Sequence, residues 1–207
     1  MKPDDDRARH WENVYARHSP EQLSWYQPSP ETSLRLMTRL GIRPGDAVID
    51  IGGGASTLVD HWLDLGFSEP TLLDISATAL EAVKARLGPR AGAVRWLTGD
   101  VTKLALPGPF RLWHDRAVFH FLTDAALREA YRQAMAAAVP AGGFAIVATF
   151  ADDGPEQCSD LPVQRYSAEA LAAEFRPLFT LVESLRETHA TPAQKAQRFI
   201  YGAFRRQ

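Results

Sequence analysis

Short apolar runs alternate along this chain with longer stretches in which apolar residues recur every three or four positions. A strand covered on both faces reads as a near-continuous apolar run, and an amphipathic helix carries a stripe at helical spacing. AVIDI (47–51), introduced by the turn RPGD, fits a strand. ASTLVDHWLDLG then sets Leu58, Trp62 and Leu65 at helical spacing, with Gly66 as the stop. PTLLDI (70–75) is a second strand. In SATALEAVKARLG, Ser76 caps a helix, Leu80, Val83 and Leu87 form its stripe, and Gly88 ends it. AVRWLTGD (93–100) and FRLWHDRAVF (110–119) supply a third and a fourth strand. DAALREAYRQAMAAAV predicts a long helix ended by PAGG, and GFAIVATF (143–150) a fifth strand. The pattern then changes. FTLVESLRETH and QRFIYGAFRR both look like strands and are joined by ATPAQKA, which predicts a closing antiparallel hairpin.

Alternating strands and helices imply an α/β fold, a parallel sheet with helices on both faces. The reading is one domain over 1–207: an N-terminal helical cap with the loop SPEQLSWYQPSP (1–44), a core (45–150), and a substrate loop with the terminal hairpin (151–207). The chain has 207 residues, 45% hydrophobic and 23% charged, the balance of a soluble globular domain. A net charge of −2 does not favour a nucleic-acid partner. No apolar run approaches the ~20 residues of a membrane helix. MKPDDDRARHW lacks the features of a secretion signal, so a cytoplasmic location is expected. The single cysteine, Cys158, excludes an intrachain disulfide and a cysteine zinc cluster and reads as a free thiol in a loop. No His, Asp and Glu spacing suggests a metal site.

In open α/β sheets, ligands sit beyond the carboxyl ends of the strands, so the turn after the first strand is the expected site. There the sequence is VIDIGGGAS, in which Gly52 and Gly54 allow a tight turn and a close ligand. A dinucleotide turn needs a third glycine where Thr57 stands, and a phosphate loop needs a lysine that is missing. Asp50, two residues before the first glycine, suits a ligand with an ammonium group better than a pyrophosphate. This stretch resembles motif I of the class I S-adenosylmethionine (SAM)-dependent methyltransferases, E/D-x-G-x-G-x-G, with Ser56 replacing the last glycine. VPAGGFAIVATF and LWHDRAVFHFL resemble further stretches of the same family.

The resemblance implies a Rossmann-like seven-stranded sheet in the order 3-2-1-4-5-7-6 with strand 7 antiparallel, and SAM as cofactor. It implies that Asp50, Gly52, Gly53, Gly54 and Ser56 hold the methionine end. Asp74 with Ile75 takes the ribose, and Asp100 with Val101 the adenine. Trp11, Tyr15, Trp25 and Tyr26 suit a lid, because aromatic faces attract a sulfonium. The acceptor-side candidates cluster at His114, Asp115, Arg116, Phe119 and His120. Asp115-Arg116 through His120 resembles the DR-x-x-x-H stretch of small-molecule methyltransferases. His120 and Asp115 are therefore the catalytic candidates, with Asp115 also beside the cofactor. Tyr26, Arg116, His120 and Tyr166 are substrate candidates. The plainer alternatives are a packed His120, a structural Asp115–Arg116 pair, a Tyr166 that only precedes a helix, and a surface His189. The implied activity is methyl transfer to a small molecule, with protein lysine as the alternative acceptor. A dinucleotide oxidoreductase and a non-catalytic SAM-binding module are the competing classes.

Overall fold

The computed structural model describes residues 3–207; the first two residues of the expected cap lie outside them. Helix α1 (Pro3–Arg17), a short 3-10 turn at Pro20–Gln22 and α2 (Glu31–Arg39) precede the sheet. The core then runs β1 (Val48–Ile51), α3 (Leu58–Asp64), β2 (Thr71–Asp74), α4 (Ala77–Leu87), β3 (Arg95–Thr98), β4 (Leu112–Arg116), α5 (Ala125–Ala138) and β5 (Phe144–Phe150). The segment read as a substrate loop folds into a small hairpin, β6 (Gln157–Cys158) and β7 (Leu161–Pro162), and helix α6 (Ala168–Phe175). The terminal hairpin is β8 (Phe179–Ala190) and β9 (Ala196–Arg206).

The seven-stranded sheet has the order β3-β2-β1-β4-β5-β9-β8. Strands β1 to β5 pair in parallel, and β9 is antiparallel to both β5 and β8. Counting β8 and β9 as the sixth and seventh strands of the sheet, this is the order and orientation the motifs imply. Ser76 caps α4 by accepting a 3.1 Å bond from the Ala79 amide, as its position predicts. Leu65 departs from expectation: it is the C-cap of α3 and exposed, because the helix has already ended where the stripe would continue.

Side chains alternate between the faces of a strand, and here the alternation divides the core. Ile49, Ile51, Trp113 and Val147 pack with Tyr131 and Met135 of α5 and with Leu171 and Phe175 of α6. Val48, Leu112, Ile146 and Ala148 pack on the opposite face with Leu36 and Met37 of α2 and with Leu58 and Trp62 of α3. At the carboxyl end of β4 the same rule sends adjacent polar residues in opposite directions. His114 faces α2, where its Nε2 lies 2.8 Å from Ser33 Oγ. Asp115 faces α5 and accepts a 2.6 Å bond from Tyr131 Oη. Tyr131 Oη in turn accepts from Trp113 Nε1 at 2.8 Å, so one hydroxyl ties β4 to α5 twice. Replacing Tyr131 with Phe leaves the buried indole N–H without a partner and strips a donor from a buried carboxylate. The expected loss is about 2 kcal/mol of unfolding free energy, measured by urea denaturation; a loss below ~0.5 kcal/mol would contradict this role.

Candidate active site

The β1 turn is shaped by what surrounds it. Gly52 has φ +67°, and a Cβ there would fall 2.1 Å from Val118 Cγ2. A Cβ on Gly53 would come within 2.8 Å of Asp50 Oδ2, and one on Gly54 within 2.5 Å of both Asp74 Oδ2 and Ala79 Cβ. The close approach matters because these amides serve the neighbouring strand: Gly52 N donates to Leu73 O at 2.7 Å and Gly54 N to Asp74 Oδ2 at 2.9 Å.

Two cavities meet over this turn and share Gly52, Trp25 and Arg116. The larger holds about 800 Å³ of empty space, part of it open to solvent. Its floor is Asp74, Ile75, Asp100 and Val101, the carboxyl ends of β2 and β3, and its far wall is Val118, Phe121 and Leu122. The smaller, about 450 Å³, is lined by Asp50, Ser56, Ser33, His114 and Tyr26.

Asp50 is 2% exposed. Its Oδ1 accepts from His114 Nδ1 at 2.7 Å, while Oδ2 is buried with no hydrogen-bond partner. A buried carboxylate oxygen left unpaired is costly and calls for a donor from outside the chain. Asp74 accepts from Gly54 N and Ser76 N, and burial pushes its carboxyl up to about 6 against those bonds. Asp100 accepts from Thr102 and from Arg7 Nη2, the latter at 2.7 Å.

The roof comes from the N-terminal cap. Trp11 lies 5.7 Å from Trp25 and 5.0 Å from Phe121, centroid to centroid, and Tyr15 lies 6.2 Å from Trp25. Glu12 fastens α1 by accepting from the Ala77 amide at 2.6 Å and the Thr78 amide at 3.3 Å at the start of α4, where a carboxylate also complements the helix dipole.

Several expected site residues sit elsewhere. Asp115 lines neither cavity; it accepts from the Val118 and Phe119 amides and from Tyr131, bonds that fix the loop after β4 from behind. It does not pair with Arg116, because successive strand residues face opposite ways. His120 is fully buried behind the cavity wall, where its Nδ1 accepts from the Phe150 amide at 3.2 Å. Burial, and then the charge of Arg116, lowers its pKa to about 3, so the ring is neutral. Tyr166 is packed in the α5–α6 core against Phe119. His189 is not a surface residue: it is 6% exposed and its Nε2 donates to Ser24 O at 2.8 Å, which holds the cap loop to β8. Cys158 is buried in β6 and lines the larger cavity, and burial raises its thiol to about 11. Sequence reasoning overlooked Ser33, and also Glu187 and Tyr201 beneath Arg116. These are long-range contacts, and only hairpin register brings the last two within reach of Arg116 across β5.

Residues 48–142 match the family model described as a methyltransferase domain. A Burkholderia thailandensis 1,6-didemethyltoxoflavin-N1-methyltransferase, solved with 1,6-didemethyltoxoflavin and S-adenosylhomocysteine (SAH), superposes with a TM-score of 0.77 at 20% identity, over 100% of this chain and 92% of that one. A SAM-dependent methyltransferase from Anabaena variabilis gives a TM-score of 0.74 at 16% identity, over 100% and 98% of the two chains. The chain therefore carries a methyltransferase domain over residues 48–142, and as a whole it takes the fold of these SAM-dependent methyltransferases. Among curated proteins, the chain is similar to the eEF1A lysine and N-terminal methyltransferase of Mus musculus, 30% identical over 102 residues, which are 48% of this chain and 14% of that protein. The Bos taurus counterpart is 27% identical over 100 residues, 47% of this chain and 14% of that one. The chain thus spans a small fraction of the length of the curated relatives it matches.

The cavities fit the family's cofactor. The unpaired Asp50 oxygen suits an ammonium, Asp74 retains lone pairs for hydroxyl donors, and the glycine turn leaves room where a side chain would intrude. Gly54→Ala is expected to weaken SAH binding by about tenfold or more, ~1.4 kcal/mol, in calorimetry; unchanged affinity would argue against the close approach. The pH dependence carries a sign. Ribose hydroxyls placed at Asp74 would donate to its ionised form and favour it, so protonation near pH 6 would compete with binding. SAH affinity should be flat above about pH 7 and fall toward a limit of about tenfold per unit below the Asp74 pKa. An Asp74→Asn variant should flatten that profile; a profile unchanged in the variant would remove Asp74 from cofactor binding.

Proposed function

We propose that this methyltransferase moves the methyl group of SAM to a small-molecule acceptor that brings its own lone pair. The observation carrying this reading is the aromatic roof over the larger cavity, whose carboxylates, Asp74 and Asp100, lie on the floor at the ends of β2 and β3 while the wall at the β4 loop, Val118, Phe121 and Leu122, is apolar. Bound SAM supplies an electrophilic methyl: the acceptor lone pair forms the new bond, and the S–CH₃ electron pair stays on sulfur to give SAH. Such a displacement depends on alignment and exclusion of water. Trp11, Tyr15 and Trp25 supply the exclusion and Val118 and Phe121 the apolar wall. Asp50 and Asp74 orient the cofactor. Cys158, held near 11, and Tyr15, raised by burial and then by the charge of Asp74, keep their protons at neutral pH. His120 is outside the cavity. Amines and thiols of accessible pKa are therefore the favoured acceptors, ahead of alcohols that need a base.

Incubating the protein with SAM and a panel of amines, thiols and alcohols, with SAH release as the readout, tests this. Turnover confined to alcohols would refute it. His120→Asn preserves an oxygen acceptor for the Phe150 amide and should cost under about tenfold in rate. A general base removed at that position would cost about a hundredfold or more, and a loss of that size at unchanged melting temperature would return His120 to the chemistry.

A protein acceptor is the second reading, favoured by the names of the curated relatives. Labelling of proteins in a lysate by methyl-labelled SAM, with no small-molecule turnover, would establish it instead.

A further inference from the structure

Arg116 is held unusually firmly for a residue at a cavity junction. Its Nε donates to Tyr201 Oη at 2.9 Å and its Nη1 to Trp25 O at 2.9 Å. Its guanidinium lies over the Phe199 ring, 4.3 Å from the centroid. Its side chain is 10% exposed. The third nitrogen, Nη2, is buried without a hydrogen bond. Glu187 Oε1 stands 3.5 Å away, within reach of charge attraction but outside hydrogen-bonding contact, and it already accepts from Gln27 Nε2 at 3.0 Å and Tyr201 Oη at 3.3 Å. Both N–H groups of Nη2 on this fixed, buried cation are thus without a hydrogen bond, and Arg116 borders both cavities.

We infer that the methyl acceptor carries a carboxylate, and that Nη2 of Arg116 binds it. This rests on the function proposed above and narrows its substrate class. A guanidinium nitrogen with two unspent N–H groups matches a carboxylate oxygen, and charge-assisted bonds of that kind are strong. The seat of Arg116 is built from the cap loop (Trp25, Gln27) and the terminal hairpin (Glu187, Phe199, Tyr201), whereas the cofactor residues come from the ends of β1 to β3. Cys158 and Phe121 border the same cavity, and Trp25 and Phe121 offer aromatic faces to the body of the acceptor. The methionine carboxylate of the cofactor has the same chemistry, so the test separates the two sources.

The probes are benzoate and acetate, each paired with its amide, titrated calorimetrically into the protein saturated with SAH. At least one acid is expected to bind about tenfold or more tighter than its amide, with Arg116→Gln erasing the difference and Arg116→Lys restoring part of it. Equal binding of acid and amide in both pairs overturns the inference, as does a preference that survives in Arg116→Gln. In a second arm, SAH and 5′-methylthioadenosine, which lacks the amino-acid end, are titrated into both proteins. Arg116→Gln should leave both affinities unchanged. A loss for SAH alone assigns Nη2 to the cofactor carboxylate and overturns the acceptor assignment. If SAH fails to bind the wild-type protein, the proposed function fails, while the acid–amide comparison on the SAH-free protein still reports on Arg116. The wild-type comparison decides the inference even where Arg116→Gln does not fold.

Discussion

The contact from His114 to Asp50 joins two buried strand ends, and the site is arranged around it. A carboxylate sealed between β1 and β4 is tolerable only if its oxygens are matched. His114 Nδ1 supplies a donor to one oxygen, Ser33 of α2 fixes the far side of the ring, and the other oxygen stays open to the smaller cavity. Three elements distant in sequence must therefore be in register before Asp50 is usable. Gly53 completes the arrangement by leaving room beside that open oxygen.

The same alternation gives β4 two separate jobs. On one face His114 serves the ligand cavity. On the other, Trp113 and Asp115 meet Tyr131, and Asp115 gathers the Val118 and Phe119 amides. That buried network fixes the loop carrying Val118, whose methyl forces the β1 turn to be glycine at position 52. Asp115 thus shapes the cavity without touching it, as a carboxylate whose lone pairs go to backbone and phenol rather than to a reacting group.

The cap closes the remaining side. Its hold is a set of polar contacts at the rim, Arg7 on Asp100 and Glu12 on the α4 terminus, around an aromatic centre of Trp11, Tyr15 and Trp25. Rim contacts of this kind are individually modest, which suits a segment that must admit ligands. Arg7 already holds the Asp100 carboxylate, so the cap is tied directly to the floor of the larger cavity.

By itself the sequence determined the order of elements, the parallel core with its closing hairpin, and the residues at the ends of β1, β2 and β3 that border the two cavities. These are local matters: apolar periodicity, caps and a glycine turn whose spacing reflects the backbone path. The roles of His114, Asp115, His120, His189 and Arg116 were decided only in three dimensions. Each is a polar residue at or near a strand end or loop, and its meaning depends on which face it takes and which distant side chain meets it there. Strand alternation separated His114 from Asp115, burial silenced His120, and hairpin register placed Glu187 and Tyr201 under Arg116. Charge and hydrogen bonding act through space, so residues 85 apart along the chain, Arg116 and Tyr201, form one unit that no local pattern records.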